Sequence, residues 1–308
     1  MIHTRMRDGT RIAYERFGLD EGPVALLLDG ISCDGFIWHF LRPWLAERFQ
    51  VVHMHHRGHG QSGLPRDLER MTVGNLAEDV SEILEHLDLR DVLVFGHSMG
   101  VQVTLEVAAR HPERIQAGVL LCGASGRLLD TFKDSDLGMK LMPPITVIMK
   151  RYRGLISRFL RVMMPTTFAT LVAGFTEPNR RLINPAHLKP YMAHLGTMQP
   201  DVVVRLLNDA SRRSGTHLLK RIHQPMLVIA GEADGFTPAR VSEAMASDLP
   251  LGRYVSLAEG SHTAPLELPR ETQSAISDFI DDLTYGGASA TEDASSNLAA
   301  QFRARCEA

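Results

Sequence analysis

Cysteine is scarce in this chain. Cys33, Cys122 and Cys306 are the only three among 308 residues. They are odd in number and far apart, which argues against a disulfide framework and suits a reducing compartment. Long apolar runs are also missing, and none is long enough to span a bilayer. The opening residues, Met1-Ile2-His3-Thr4-Arg5-Met6-Arg7-Asp8, contain no apolar signal core. The expectation is a soluble, cytoplasmic protein with no stable membrane insertion. Charge of one sign is not in excess either. A formal net charge of -3 gives no general case for binding nucleic acid. With 44% hydrophobic and 22% charged residues, the composition is that of a globular chain. The length fits one large domain or two ordinary ones.

The charge that is present is unevenly placed. Residues 127–221 hold sixteen Lys or Arg against six Asp or Glu. The remainder holds seventeen against thirty. The pattern of elements changes in the same stretch. Ile2 to Phe17 reads as two strands around Asp8-Gly9. Short apolar runs at 24–28, 51–55, 92–95 and 115–122 read as strands, and those at 24–28 and 92–95 are wholly apolar, as in a buried parallel sheet. Helical spacing separates them at 41–49, at 72–88 with Thr72 placed to cap, and at 99–110. Residues 127–221 show no convincing strand, only helical patterns broken by Pro143-Pro144, Pro165, Pro178, Pro185, Pro190 and Pro200. Alternation resumes with strands at 226–230 and 254–257 and helices near 238–248 and 270–283. This predicts an α/β protein with a mostly parallel central sheet, helices on both faces and an inserted helical cap. The catalytic core is assigned to 1–126 and 222–285, the cap to 127–221, and 286–308 to a disordered tail with a short helix near 297–306.

The most informative residues are Gly96-His97-Ser98-Met99-Gly100. They follow a strand and precede a helix, the context of a Gly-x-Ser-x-Gly nucleophile elbow. The turn strains the serine backbone and leaves no room for side chains two positions either side. It also puts Ser98 at a helix N-terminus, where unpaired N–H groups favour negative charge. A serine nucleophile needs a base, and the base needs an orienting acid. Asp234 follows the strand at 226–230, and His262 follows the strand at 254–257. Both fall at carboxyl ends of parallel strands, where loops converge on a ligand crevice. The order Ser, acid, His is that of elbow hydrolases.

With these pieces the chain resembles the α/β-hydrolase superfamily over roughly residues 1–285. The matching segments are Leu28-Asp29-Gly30-Ile31, Arg57-Gly58-His59-Gly60-Gln61-Ser62, the elbow, Gly231–Asp234 and Gly260-Ser261-His262. The arrangement looks like the lidded esterase, lipase and perhydrolase branches. The resemblance implies an oxyanion hole made of the backbone N–H groups of Ile31 and Met99. It implies a serine hydrolase of short- or medium-chain carboxylic esters, small-molecule substrates and no cofactor. Perhydrolase, lipase, lactonase, thioesterase and C–C hydrolase activities share the same triad, and a non-enzymatic member of the fold is the alternative outside catalysis. Epoxide hydrolases and haloalkane dehalogenases of this fold use an aspartate nucleophile, which Ser98 replaces. One departure stands out. The family usually has His-Gly where this chain has Asp29-Gly30, and Asp29 is expected to turn away and bind loop backbone N–H groups.

Other residues invite other readings. His53-x-His55-His56 with His59 resembles a metal run, but the aspartate of such signatures is missing and His53 and His55 lie in a predicted buried strand. No metal is expected. Arg57 and His59 are expected to shape their loop, and Cys33 to be a small filler. In the cap, Ile145, Ile148, Met149, Tyr152, Leu155, Ile156, Phe159, Leu160 and Met163 share one helical face. Lys150, Arg151, Arg153, Arg158 and Arg161 occupy much of the rest. The expectation is a lid helix packed by its apolar stripe, its basic face solvated. Weak contact with anionic interfaces is the sharper alternative.

Overall fold

The computed structural model describes residues 1–126, 137–170, 179 and 181–285. The expected tail at 286–308, with its short helix, lies outside the described residues, as do 127–136, 171–178 and 180 of the expected cap. The opening hairpin forms where Asp8-Gly9 predicts it. Strands β1 (Ile2–Arg5) and β2 (Arg11–Gly18) pair antiparallel. Asp8 Oδ1 accepts from the Thr10 N–H at 2.8 Å and closes the turn.

Six further strands complete one sheet: β3 (Val24–Leu28), β4 (Gln50–His55), β5 (Val92–His97), β6 (Ile115–Leu121), β7 (Met226–Gly231) and β8 (Gly252–Leu257). The order is β1-β2-β4-β3-β5-β6-β7-β8. The β1–β2 and β2–β4 pairs are antiparallel and every other pair is parallel. Strands β3 and β5 are buried on both faces, which is why 24–28 and 92–95 are continuously apolar instead of alternating. Successive side chains supply two cores. Leu26, Leu28, Val92 and Val94 pack with helices α2 (Val73–His86) and α3 (Met99–Arg110). Ala25, Leu27, Leu93 and Phe95 pack on the opposite face with Trp38 and helices α1 (Leu41–Ala46) and α11 (Pro269–Tyr285). Each fully buried Leu, Val or Phe contributes about 1.5–3 kcal/mol of transfer free energy. Thr72 caps α2, its Oγ1 accepting from the Asn75 N–H at 3.2 Å. Three further helices are α8 (Thr216–Leu219) just before β7, α9 (Ala239–Asp248) between β7 and β8, and α10 (Ala264–Glu267) after β8.

Between β6 and β7 the described residues contain helices and no strand: α4 (Leu137–Arg151), α5 (Arg153–Met163), α6 (Lys189–Thr197) and α7 (Pro200–Arg212). Pro190 and Pro200 sit in the first turns of α6 and α7, where a missing N–H costs nothing. Pro143 and Pro144 behave differently. They are expected to break a helix, yet α4 runs through them and forgoes two N–H donors.

The lid stripe is also corrected. The segment 145–163 is not one helix, because the backbone leaves helical geometry at Tyr152 (φ −114°, ψ 21°). After that break α4 packs along α7 and α5 along α6. Met142 and Met149 turn inward against Val204 and Leu207. Val147, Ile148, Tyr152, Leu155, Phe159 and Val162 face outward, with Leu155 71% and Phe159 61% exposed. The apolar residues therefore divide between two sides, because each short helix spends only part of its stripe on a neighbour. No described helix is long and apolar enough to cross a membrane.

Candidate active site

The elbow forms because glycine occupies both positions that need it. A Cβ on Gly96 would lie 2.5 Å from the Gly100 carbonyl oxygen, and one on Gly100 would lie 2.2 Å from that of Leu28. Strand β5 and helix α3 can thus meet at a single residue. That residue, Ser98, has φ 54° and ψ −118°, a strained left-handed backbone that a non-glycine rarely adopts. Its N–H donates to the Leu121 carbonyl at 3.0 Å, which anchors the turn to β6.

Three parallel strands deliver three side chains to one point. Ser98 Oγ lies 2.9 Å from His262 Nε2, and His262 Nδ1 lies 2.9 Å from Asp234 Oδ2. A carboxylate only accepts, so Nδ1 carries the proton and Nε2 is left to accept from the serine hydroxyl. Asp234 is buried and its two oxygens are fully used. Oδ1 accepts from the N–H groups of Phe236 and Thr237, each at 2.8 Å, and Oδ2 accepts from Thr237 Oγ1 at 2.7 Å. Burial pushes this carboxyl up, but His262 and the Thr237 bonds outweigh it and hold the group below its ordinary range. The Phe236 ring stands 5.0 Å from the His262 ring.

The loop that carries His262 is tied down by residues that sequence reasoning missed. Glu267 is buried at the end of α10. Its Oε2 accepts from the Ser261 N–H at 2.7 Å, and its Oε1 accepts from Ser261 Oγ at 2.6 Å and Thr263 Oγ1 at 3.0 Å. The same Oε1 accepts from the Asn179 N–H at 2.7 Å. His97, inside the elbow, donates from Nε2 to the His262 carbonyl at 3.0 Å. Burial and the neighbouring His262 press its pKa down to about 4, so it does this as a neutral ring. The only sequence signals were the acceptor-rich spacing Asp234-x-x-Thr237 and the run Ser261-His262-Thr263 followed by an acid.

The loop after β3 lies against the serine. A Cβ on Gly30 would come within 3.0 Å of Ser98 Cβ. Ile31 follows in that loop, half-buried, and Met99 is the buried first residue of α3. The partners of Asp29 differ from the expectation. Side chains hold it instead of loop N–H groups. Trp38 Nε1 donates to Oδ1 at 2.7 Å and His53 Nε2 to Oδ2 at 2.8 Å.

The remaining histidines of the run are each engaged in hydrogen bonds. His55 Nδ1 accepts from the Gln61 N–H at 3.0 Å, and His56 Nε2 donates to the Asp29 carbonyl at 3.1 Å. His59 Nε2 accepts from the Ser32 N–H at 3.0 Å while Nδ1 donates to the Arg57 carbonyl at 3.0 Å. Arg57 is buried and forks onto Asp79 at 2.7 and 2.5 Å, with Asp8 at 3.1 Å. That pairing fixes the Gly-rich loop after β4. Cys33 is buried, and burial with the nearby carboxylates of Asp29 and Asp34 pushes its thiol far up, which leaves it inert.

Comparison with known proteins agrees with this architecture. The family model for the alpha/beta hydrolase fold matches residues 23–269. An uncharacterized hydrolase, YugF, from Bacillus subtilis is 26% identical over 279 residues, covering 89% of this chain and 95% of its own. Among solved structures, an enol-lactonase from Burkholderia xenovorans superposes with a TM-score of 0.74 at 20% identity, covering 91% of this chain and all of that one. A thermophilic esterase from Thermogutta terrifontis gives 0.70 at 22% identity, over 92% and 99%. The chain belongs to the α/β-hydrolase fold family.

Proposed function

We propose that this hydrolase cleaves carboxylic esters through an acyl-enzyme on Ser98. The observation that carries the reading is the unbroken hydrogen-bonded line Ser98–His262–Asp234, with 2.9 Å at both joints. Ser98 Oγ attacks the acyl carbonyl carbon as His262 Nε2 takes its proton. The carbonyl oxygen becomes an oxyanion, held by the N–H groups of Ile31 and Met99, and each such donor is worth about 2.7–4 kcal/mol of barrier. The tetrahedral centre collapses, the C–O bond breaks, and His262 returns the proton to the departing alcohol. Water then repeats the sequence on the acyl-enzyme and releases the acid. Asp234 keeps the imidazole in the working tautomer and stabilises its charged form. Nucleophile, base, acid and oxyanion donors all come from the chain itself, so the reaction requires no cofactor.

The test is a panel of p-nitrophenyl esters of graded acyl length, run with wild type and Ser98→Ala. Turnover is expected in wild type, with a maximum at short or medium chains, and only background in the variant. Equal turnover by a folded Ser98→Ala protein contradicts the reading. Lactones and thioesters in the same panel separate the activities that share this triad.

One observation favours a second reading of where the substrate comes from. The outward face of α4 and α5 combines Val147, Ile148, Leu155, Phe159 and Val162 with exposed Lys150, Arg151, Arg153, Arg158 and Arg161. Residues 137–176 contain no Asp or Glu. An apolar face flanked only by cations suits contact with an anionic lipid surface. In this reading the ester is drawn from such a surface instead of from dispersed solution.

A further inference from the structure

The residue that departs from the family pattern, Asp29, is fully buried at the end of β3. A lone buried carboxylate is costly, and partners must be supplied. They come from elements distant in sequence. His53 sits on β4 opposite Leu27 of β3 and opposite Glu15 of β2. Its Nε2 donates to Asp29, its Nδ1 lies 3.1 Å from Arg42 Nη1 and 3.3 Å from Glu15 Oε1, and Arg42 Nη1 donates to that same oxygen at 2.5 Å. A polar chain therefore crosses three strands, Glu15–His53–Asp29, with Arg42 against both Glu15 and His53 at its outer end and Trp38 at its inner end. Burial alone would neutralise both Asp29 and His53. Instead Asp29 is held down to about 2 by His53, and Asp29 and Glu15 raise His53 to about 9 against burial and the opposing charge of Arg42.

The same histidine supports the far side of the loop. A Cβ on Gly35 (φ 104°) would lie 2.7 Å from His53 Cε1, so residues 29–35 leave the ring and return to it. Within that arch the Asp29 carbonyl takes His56 and the Ser32 N–H reaches His59. Gly30 and Ile31 are the two residues between these anchors, and Gly30 is the one against Ser98.

We propose that Asp29 and His53 form the positioning pair of the oxyanion-side loop, setting where the Ile31 N–H meets the acyl oxygen. This rests on Ile31 as an oxyanion donor. Neither residue touches substrate; they act through the loop. The pair stands where the resemblance expects His-Gly, with the carboxylate directly after β3 and the histidine on β4. Displacing an oxyanion donor by a fraction of an ångström raises the barrier without weakening ground-state binding, so the signature is in kcat and not in KM.

The test uses the full chain with Asp29→Asn, His53→Gln and the double variant, each checked for folding by circular dichroism. With a short-chain p-nitrophenyl ester, each single variant is expected to lose about 10- to 100-fold in kcat, with KM within about 3-fold. The double variant should be about as impaired as either single one, because the pair acts as a unit. A pH profile adds a readout that a merely structural pair would not move. The groups facing His53 are Asp29 directly after β3, Glu15 on β2, Arg42 on α1, His55 on β4, His56 directly after it and Asp34 in the loop. Wild-type kcat should fall as pH rises through about 9, where His53 loses its proton, and Asp29→Asn should lack that limb or show it at lower pH. Folded variants with wild-type kcat, losses in KM alone, or effects that multiply in the double variant overturn the proposal. If the variants do not fold, a wild-type kcat that stays level to pH 10 overturns it. Ser98→Ala separates the two levels of the argument. If it abolishes turnover while Asp29→Asn is harmless, only the positioning role falls.

Discussion

At the scale of single residues, the buried carboxylate of Asp234 is fully satisfied. It accepts four hydrogen bonds, one from His262 and three from residues 236 and 237. Asp234→Asn keeps the volume but presents an amide, and the imidazole then adopts the wrong tautomer. The expected result is a loss of about 10⁴-fold in kcat with the fold retained. Steady-state kinetics on an ester substrate check it, and wild-type-like kcat would mean that another carboxylate orients His262. The sign of the pH dependence also follows. Asp234 is held below its unfolded value, so its contribution to stability is present above the ordinary carboxylate range and is lost as pH falls through the lower, folded value. Asp29→His puts in place the residue that the resemblance expects here, yet it sets an imidazole against His53 in a fully buried position. Our expectation is a destabilised protein with little activity, read from thermal unfolding and turnover together. The triad was legible in the sequence because each member lies at the end of a strand whose apolar run announces it. The partners of Asp29 were not legible, since His53 reaches it only through strand pairing across 24 residues of chain.

At the scale of elements, the sheet positions the site through the ends of β3, β5, β7 and β8, and the loops there must be rigid. The Gly-rich loop after β4 owes its rigidity to Arg57 and Asp79, both buried, the latter contributed by α2. Removing one partner leaves an uncompensated charge in the core. Asp79→Ala is expected to lower unfolding free energy by about 3–5 kcal/mol, measured by urea denaturation. A change below about 1 kcal/mol would show that Arg57 finds other acceptors. Strand positions followed from apolar runs, and the opening hairpin from Asp8-Gly9. The helices between β6 and β7 were only half legible. Periodicity identifies an apolar stripe at 145–163 but not the break at Tyr152, which rotates the phase of α5 relative to α4. Nor does it say which part of the stripe a neighbouring helix will cover, because that depends on α6 and α7.

At the scale of the whole molecule, helices α4 and α5 leave exposed both apolar side chains, Val147, Ile148, Leu155, Phe159 and Val162, and the cations Lys150, Arg151, Arg153, Arg158 and Arg161. If these helices meet anionic lipid, each Lys or Arg near the surface contributes about 1 kcal/mol. Co-sedimentation with anionic phosphatidylglycerol vesicles should then retain the protein at low salt and release it at high salt. Arg158→Glu with Arg161→Glu should weaken retention at least about 10-fold. Absence of binding to anionic vesicles at low salt would return the cap to the role of a solvated lid over dispersed substrates. The central claim, however, is that Ser98 is the nucleophile. The most direct measurement is mass spectrometry of the wild-type protein after reaction with a fluorophosphonate. The account predicts one phosphonyl group per chain, on the peptide containing Ser98, with ester turnover lost in proportion. An adduct on another residue, or full turnover with Ser98 unmodified after the probe is exhausted, would contradict it.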